Sequence, residues 1–396
     1  MSSMALARPS ERAPGGTGAL PSSQRSLAPD LARGVMLLVI ATAHAHLFAE
    51  ISTGVGTQIS GLWDRLATGT MAVLADLRGY PMFAALFGYG LAQIHRRRTE
   101  QGRDWPWTRK LLRRRGLWLL AFGAVHVALL FFGDILSVYG LLALVFVGTL
   151  RLSDRALLRT AFAALAVAAV FVFATRLASD GAAMTPEIPA GIAGEFLFRL
   201  TMWPFMVAFM GAATVFPFLI GMWAARRRLL ENPDRYLPLL RGTAAIGIPL
   251  AVLGGLPEAL VRNGMWADPT PLAASLVALL HQVTGFAGGF GYAALIALVA
   301  VRISRRPRPG PVATALAALG QRSLTFYLLQ SVAWAVLFAS YGLGLEVSTA
   351  VGVGIGIAVW AATVVLADLM RRADMRGPAE VALRRLTYGT RDRQAA

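Results

Sequence analysis

Ten apolar blocks of roughly twenty residues follow one another along this 396-residue chain, and that pattern constrains its fold more than any single motif. They run near 31–48, 70–94, 111–132, 135–150, 156–177, 200–224, 239–261, 272–301, 312–341 and 347–369. A helix rises about 1.5 Å per residue, so each block can cross a hydrocarbon core of roughly 30 Å. Hydrophobic residues make up 56% of the chain and charged ones 15%, where a soluble domain carries about 25% charged residues. A soluble enzyme, a disordered chain and a secreted mini-domain are excluded. The pattern predicts an all-α, polytopic membrane protein with about ten transmembrane helices.

The links between blocks set the orientation. Arg96, Arg97, Arg98, Arg103, Arg109, Lys110, Arg113, Arg114 and Arg115 crowd the link after the second block, and arginines also follow the fourth, sixth, eighth and tenth. The odd links instead carry Glu50, Asp64, Asp134, Asp180, Glu187, Glu195, Glu258, Asp268 and Glu346. Positive loops stay in the cytoplasm, so the alternation predicts ten spans with both termini cytoplasmic, in a bacterial plasma (inner) membrane. The same rule accounts for the net charge of +17 without nucleic acid as a partner; the bilayer is the expected one. Three regions result: a disordered cytoplasmic tail over 1–26, a transmembrane helical domain over 27–372, and a basic cytoplasmic C-terminal tail over 373–396. No cleavable signal peptide is read before the first block. The absence of cysteine excludes disulfides, a thiolate nucleophile and a zinc–cysteine site. No metal-ligand spacing, P-loop or nucleophile elbow is present. The sequence leaves the oligomeric state unspecified.

Ionisable residues inside spans are costly, so each is a functional candidate. On the first span Arg33 and His44 lie about 20° apart around the helix, and Asp30 about 40° to the other side of His44, while His46 falls opposite. Two readings stand: Asp30 and Arg33 pin the helix end as an ion pair, or they join His44 in a polar stripe. His44 is either a hydrogen-bonded core histidine or a proton carrier. The second span brings Asp76 and Arg78 into the same half of the membrane, and the third brings His126 and, at its end, Asp134. Five such groups predict one buried polar site. On the ninth span Ser323, Tyr327 and Gln330 share a helical face with Arg322 beside it, which reads as hydrogen-bond glue or as substrate contact. His281 and Gln282 read as packing, and His95 as part of a solvated face.

The motifs 30–34 (Asp-Leu-Ala-Arg-Gly), 86–90 (Leu-Phe-Gly-Tyr-Gly), 122–126 (Phe-Gly-Ala-Val-His) and 133–136 (Gly-Asp-Ile-Leu) resemble the YeiB-like family of bacterial membrane proteins. So do 323–331 (Ser-Leu-Thr-Phe-Tyr-Leu-Leu-Gln-Ser), 341–345, 377–380 and 384–389, in the same order. The family in turn resembles transmembrane acyltransferases of the heparan-α-glucosaminide N-acetyltransferase type, which share an Asp-x-x-Arg-Gly opening on the first span. His44 stands where YeiB-like proteins tend to have Asn and where bacterial membrane O-acetyltransferases tend to have a histidine thought to be catalytic. Arg78 replaces a usual Lys, and Phe326 a usual Asn.

The resemblance implies acyl transfer from cytoplasmic acyl-CoA, a co-substrate and not a bound cofactor, to a small-molecule, glycan or lipid acceptor outside. His44 is then the expected general base, with Asp76 or Asp134 orienting it and Arg78 or Arg322 facing the oxyanion. Asp30, Arg33, His126 and Asp134 complete the catalytic candidates. Arg113, Arg114 and Arg115 are candidates for CoA phosphates, although topology alone explains their charge. Arg322, Ser323, Tyr327 and Gln330 are candidates for further substrate contacts. The alternative is a proton-coupled transporter or flippase that uses the same groups.

Overall fold

The computed structural model describes residues 27–52, 61–180, 189 and 191–389; the expected 1–26 tail lies outside them, as do Glu187 and the side chain of Glu50. Every described regular element is helical, and the fold is all-α and polytopic. The helices are α1 (Leu27–Ser52), α2 (Leu62–Thr70), α3 (Gly79–Glu100), α4 (Trp105–Leu129), α5 (Ile135–Val145), α6 (Asp154–Ala178) and α7 (Ile192–Arg226). They continue with α8 (Leu237–Arg262), α9 (Pro271–Ser304), α10 (Pro311–Gln321), α11 (Ser323–Phe338), α12 (Thr349–Arg372) and α13 (Pro378–Tyr388).

Among the described residues six helical stretches are long and apolar enough to cross a membrane: Leu27–Phe48, Asp154–Ala178, Ile192–Arg226, Pro233–Arg262, Pro271–Ser304 and Thr349–Arg372. Ile135–Arg151 and Ser323–Phe338 are shorter apolar helices. The second and third blocks are met by α3 and α4, of 22 and 25 residues, each with arginines at the end that the 96–115 link joins. Helical structure therefore meets all ten blocks. The arginine-rich ends of the helices define what is called here the basic end, the other the acidic end.

Two blocks expected as single helices are broken. In the second, α2 runs into a π-helical turn (Met71–Ala75), Asp76 is extended, and Leu77 takes a left-handed φ of 58° before α3 starts at Gly79. Pro81 favours this restart, because a missing N–H is harmless only in the first turn of a helix. Asp76 and Arg78 thus sit in a break and not on a helix face. The ninth block divides at Arg322 into α10 and α11. The basic tail beyond 372 also contains a helix, α13, which packs on α4 and α11 and buries Leu383 and Thr387.

Helix α1 is central, touching α3, α9, α10, α11 and α12. Its contact with α10 depends on two glycines: a Cβ on Gly34 would run into the Leu316 carbonyl, and one on Gly320 into that of Asp30. The glycine of the Asp-x-x-Arg-Gly motif therefore lets two helix backbones touch.

Candidate functional site

The chain reverses between α4 and α5 through Gly133, and Asp134 becomes the N-cap of α5, its Oδ2 accepting from the Ser137 amide at 2.6 Å. This cap aims the carboxylate back at α4. Gly123 gives it room, since a Cβ there would collide with Asp134 Oδ2 and Ser137 Oγ. One turn further along α4, His126 Nδ1 stands 2.9 Å from Asp134 Oδ1, with both side chains fully buried. That distance suits proton exchange, although the angle falls short of a formed hydrogen bond. Trp203 of α7 closes over the cap, its Nε1 donating to Ser137 Oγ at 3.0 Å.

Tyr327 of α11 lies between two imidazoles. Its ring centroid is 5.2 Å from that of His126 and 6.2 Å from that of His44, and His44 packs on Phe131 at 4.7 Å. The Tyr327 hydroxyl points at the Ile135 amide without a well-formed hydrogen bond. Close by, Tyr139 stacks on Phe87 at 4.7 Å, and its buried hydroxyl has no partner among the described residues. His44 is half-buried as a residue, whereas His126 is buried. Two imidazoles, a carboxylate and two phenols thus share one place with unused hydrogen-bonding capacity, which a native protein rarely leaves without a role.

The other predicted residues separate from this group. Arg78 is fully buried in the α2–α3 break, its Nη1 donating to the Asp76 carbonyl and its Nη2 to the Ala251 carbonyl, both at 2.5 Å. Its Nη1 also lies 3.0 Å from His281 Nδ1, so His281 partners a buried cation and does more than pack. Asp76 pairs with Arg262 of α8 at 2.6 Å, and Arg262 also holds Glu258 at 2.8 Å. Neither Asp76 nor Arg78 is therefore placed to serve His44. His46 is buried within electrostatic reach of Asp76, so α1 presents His44 to one polar group and His46 to the other.

Arg33 is eleven residues from His44, about 16 Å along the helix. It lies 3.5 Å from Asp30, which accepts from Gln321 at 3.0 Å. The polar stripe thus spans the helix with its ends at separate sites. Arg322 is a clamp, its Nε and Nη2 donating to the Met375 carbonyl at 3.0 and 2.6 Å and its Nη1 to that of Ala318 at 3.0 Å. Ser323 opens α11, and Gln330 turns to Thr363 of α12 at 3.4 Å. Of the predicted face on the ninth block, Tyr327 alone reaches the histidines. Arg113 and Arg114 are exposed; Arg115 is half-buried, within electrostatic reach of Arg33, Glu380 and Tyr388.

Glu380 closes the 377–380 motif, whose spacing alone points to no role for it. From α13 it caps α11, its Oε1 accepting from the Leu324 amide at 2.7 Å and the Thr325 amide at 3.2 Å while Thr325 Oγ1 donates to Oε2. Glu380→Ala is expected to cost about 1 kcal/mol, within the usual range for a lost N-cap. The first-turn amides of α11 should then exchange hydrogen faster, whereas unchanged exchange would show that α11 needs no cap.

Residues 224–390 match a family model described as "Protein of unknown function (DUF418)". The "Uncharacterized protein YeiB" of Escherichia coli (strain K12) is 24% identical over 398 residues, covering 92% of this chain and 96% of its own length. The chain is similar to YeiB over nearly its whole length. The "Uncharacterized protein YxaH" of Bacillus subtilis (strain 168) is 26% identical over 335 residues, covering 78% of each chain. The stretch matched by the family model holds Arg262, His281, Tyr327 and Glu380, while His44, His126 and Asp134 precede it.

Proposed function

We propose that this YeiB-like protein is an integral-membrane acyltransferase, moving an acyl group from acyl-CoA at the basic, cytoplasmic end to an acceptor reached from the acidic end. The observation that carries this reading is the buried His126–Asp134 pair at 2.9 Å, with His44 across Tyr327. A carboxylate at Nδ1 fixes the imidazole tautomer and leaves Nε2 as the base. His126 takes the proton from an acceptor hydroxyl or amine as its O or N attacks the thioester carbon. The Tyr327 hydroxyl donates to the developing oxyanion, the role that sequence reasoning offered to Arg78 or Arg322. The C–S bond then breaks, and the imidazolium returns the proton to the departing CoA thiolate. His44, the less buried of the two histidines, lines the path of the acyl group. Arg33, Arg114 and Arg115 near the basic end supply charge for the CoA phosphates, with Arg113 beside them.

One observation favours a second reading. The α2–α3 break places a buried arginine and a carboxylate at an interrupted span, the construction transporters use for substrate sites. Purified protein incubated with labelled acetyl-CoA and membrane extract separates the two. The acyltransferase predicts free CoA and a labelled acceptor. Intact acetyl-CoA, together with substrate flux in liposomes, would establish the transporter instead.

A further inference from the structure

The arginines at the basic end divide into two kinds. Arg96 is paired with Glu231 at 2.5 Å, Arg226 and Arg227 with Asp154 at 2.9 and 3.0 Å, and Arg228 with Glu100 at 3.1 Å. Around the start of α4 the pattern changes. Arg103 lies over the Trp107 ring at 4.9 Å and Arg98 at 5.8 Å; Arg98 also lies 5.2 Å from the Tyr388 ring, and Arg151 is 5.9 Å from that of Trp105. None of these three guanidiniums is paired with a carboxylate among the described residues; Arg98 donates to Gln101 Oε1 at 2.7 Å. The neighbouring acids are already engaged: Asp104 caps α4 through the Trp107 amide at 3.0 Å, and Glu100 holds Arg228. Arg103 and Arg151 are exposed, both tryptophans are half-buried, and Arg98 is buried.

An aromatic ring takes the face of a guanidinium and leaves its in-plane N–H groups free, the edge that binds phosphate two bonds at a time. Tryptophan beside arginine is also the pairing of the headgroup layer, where an apolar ring meets charge. A soluble phosphate would need only the arginines; the half-buried indoles fit a ligand with hydrocarbon immediately beneath its phosphate. We propose that two arginine–aromatic pairs flanking the start of α4, Arg103 on Trp107 (with buried Arg98 against the same ring and Tyr388) and Arg151 on Trp105, form a binding region for the headgroups of anionic phospholipids in the leaflet at the basic end. Binding there would tie the α3–α4 link and the end of α13 to lipid charge. The site stands apart from the histidine cluster and does not depend on acyl transfer.

The test is native mass spectrometry of the full-length protein taken from phosphatidylethanolamine vesicles doped equally with phosphatidylglycerol and phosphatidylcholine. Wild type should retain phosphatidylglycerol over phosphatidylcholine by about tenfold, a typical gain for a bidentate charged contact. Arg103→Gln with Arg151→Gln changes exposed positions only and should remove most of that preference. Arg305→Gln with Arg306→Gln, exposed at another basic link, should leave it intact. Trp107→Leu keeps every charge and should also weaken retention. Equal retention of the two lipids by wild type, or an unchanged preference in the Arg103/Arg151 variant, would overturn the site. Displacement of phosphatidylglycerol by an equal concentration of inorganic phosphate would overturn the lipid as its occupant.

Discussion

Exchanging His126 for glutamine is expected to slow acyl transfer by about 10²–10⁴-fold, the usual contribution of a positioned general base. Glutamine preserves much of the ring's volume and can donate toward Asp134, so α4 and α5 should stay packed around Gly123. The loss should therefore appear in turnover and leave the thermal unfolding midpoint in detergent nearly unchanged. Asp134→Asn should also slow the reaction, because an amide can hold the ring with the wrong nitrogen protonated. It keeps an oxygen for the Ser137 cap, so again the fold should survive. If turnover by the His126→Gln protein matched wild type, the base would have to be sought elsewhere.

The largest effect on stability is expected at Arg78. Its guanidinium is wholly buried and satisfies two backbone carbonyls and His281. Arg78→Met fills much of the space yet strands those acceptors, each at about 1–3 kcal/mol, so a total cost of about 3 kcal/mol or more is expected. The left-handed Leu77 adds to the need for a clamp, since that conformation costs a bulky residue about 1–2 kcal/mol. Arg78→Lys should recover only part of the loss, because one ammonium cannot span acceptors on α8, α9 and the break itself. Thermal unfolding in detergent reads both variants. An Arg78→Met midpoint equal to wild type would mean that these contacts contribute nothing to the folded state.

Length and apolarity made the helices legible, because a span of the bilayer needs about twenty apolar residues whatever its neighbours. The two interruptions differ. That at Asp76–Arg78 carries a local signal in Gly79 and Pro81, overridden in the reading by the surrounding apolar run. The division at Arg322 has no such signal; it exists because Glu380 and the Met375 carbonyl, some fifty residues onward, satisfy the exposed backbone and the guanidinium. Depth groups His44, His126 and Asp134, but could not say that the carboxylate faces His126 instead of His44. Asp76 and Arg78 share that depth yet belong to a different cluster, since rotation around the bundle is set by packing. His281 looked like core for the same reason. Glu258 and Arg262 lie four residues apart, an ion-pair spacing on a helix, whereas nothing in the sequence marks Asp76 as the third member of that group.

In the proposed mechanism His44 and His126 act as one unit across Tyr327, and a double-mutant cycle on labelled acetyl-CoA turnover tests this most directly. Residues that work as a unit lose most of their joint effect when either is removed. His44→Ala combined with His126→Ala should therefore be about as slow as the more damaging single variant. Independent effects that multiply in the double variant, or singles that both turn over like wild type, would contradict a shared centre.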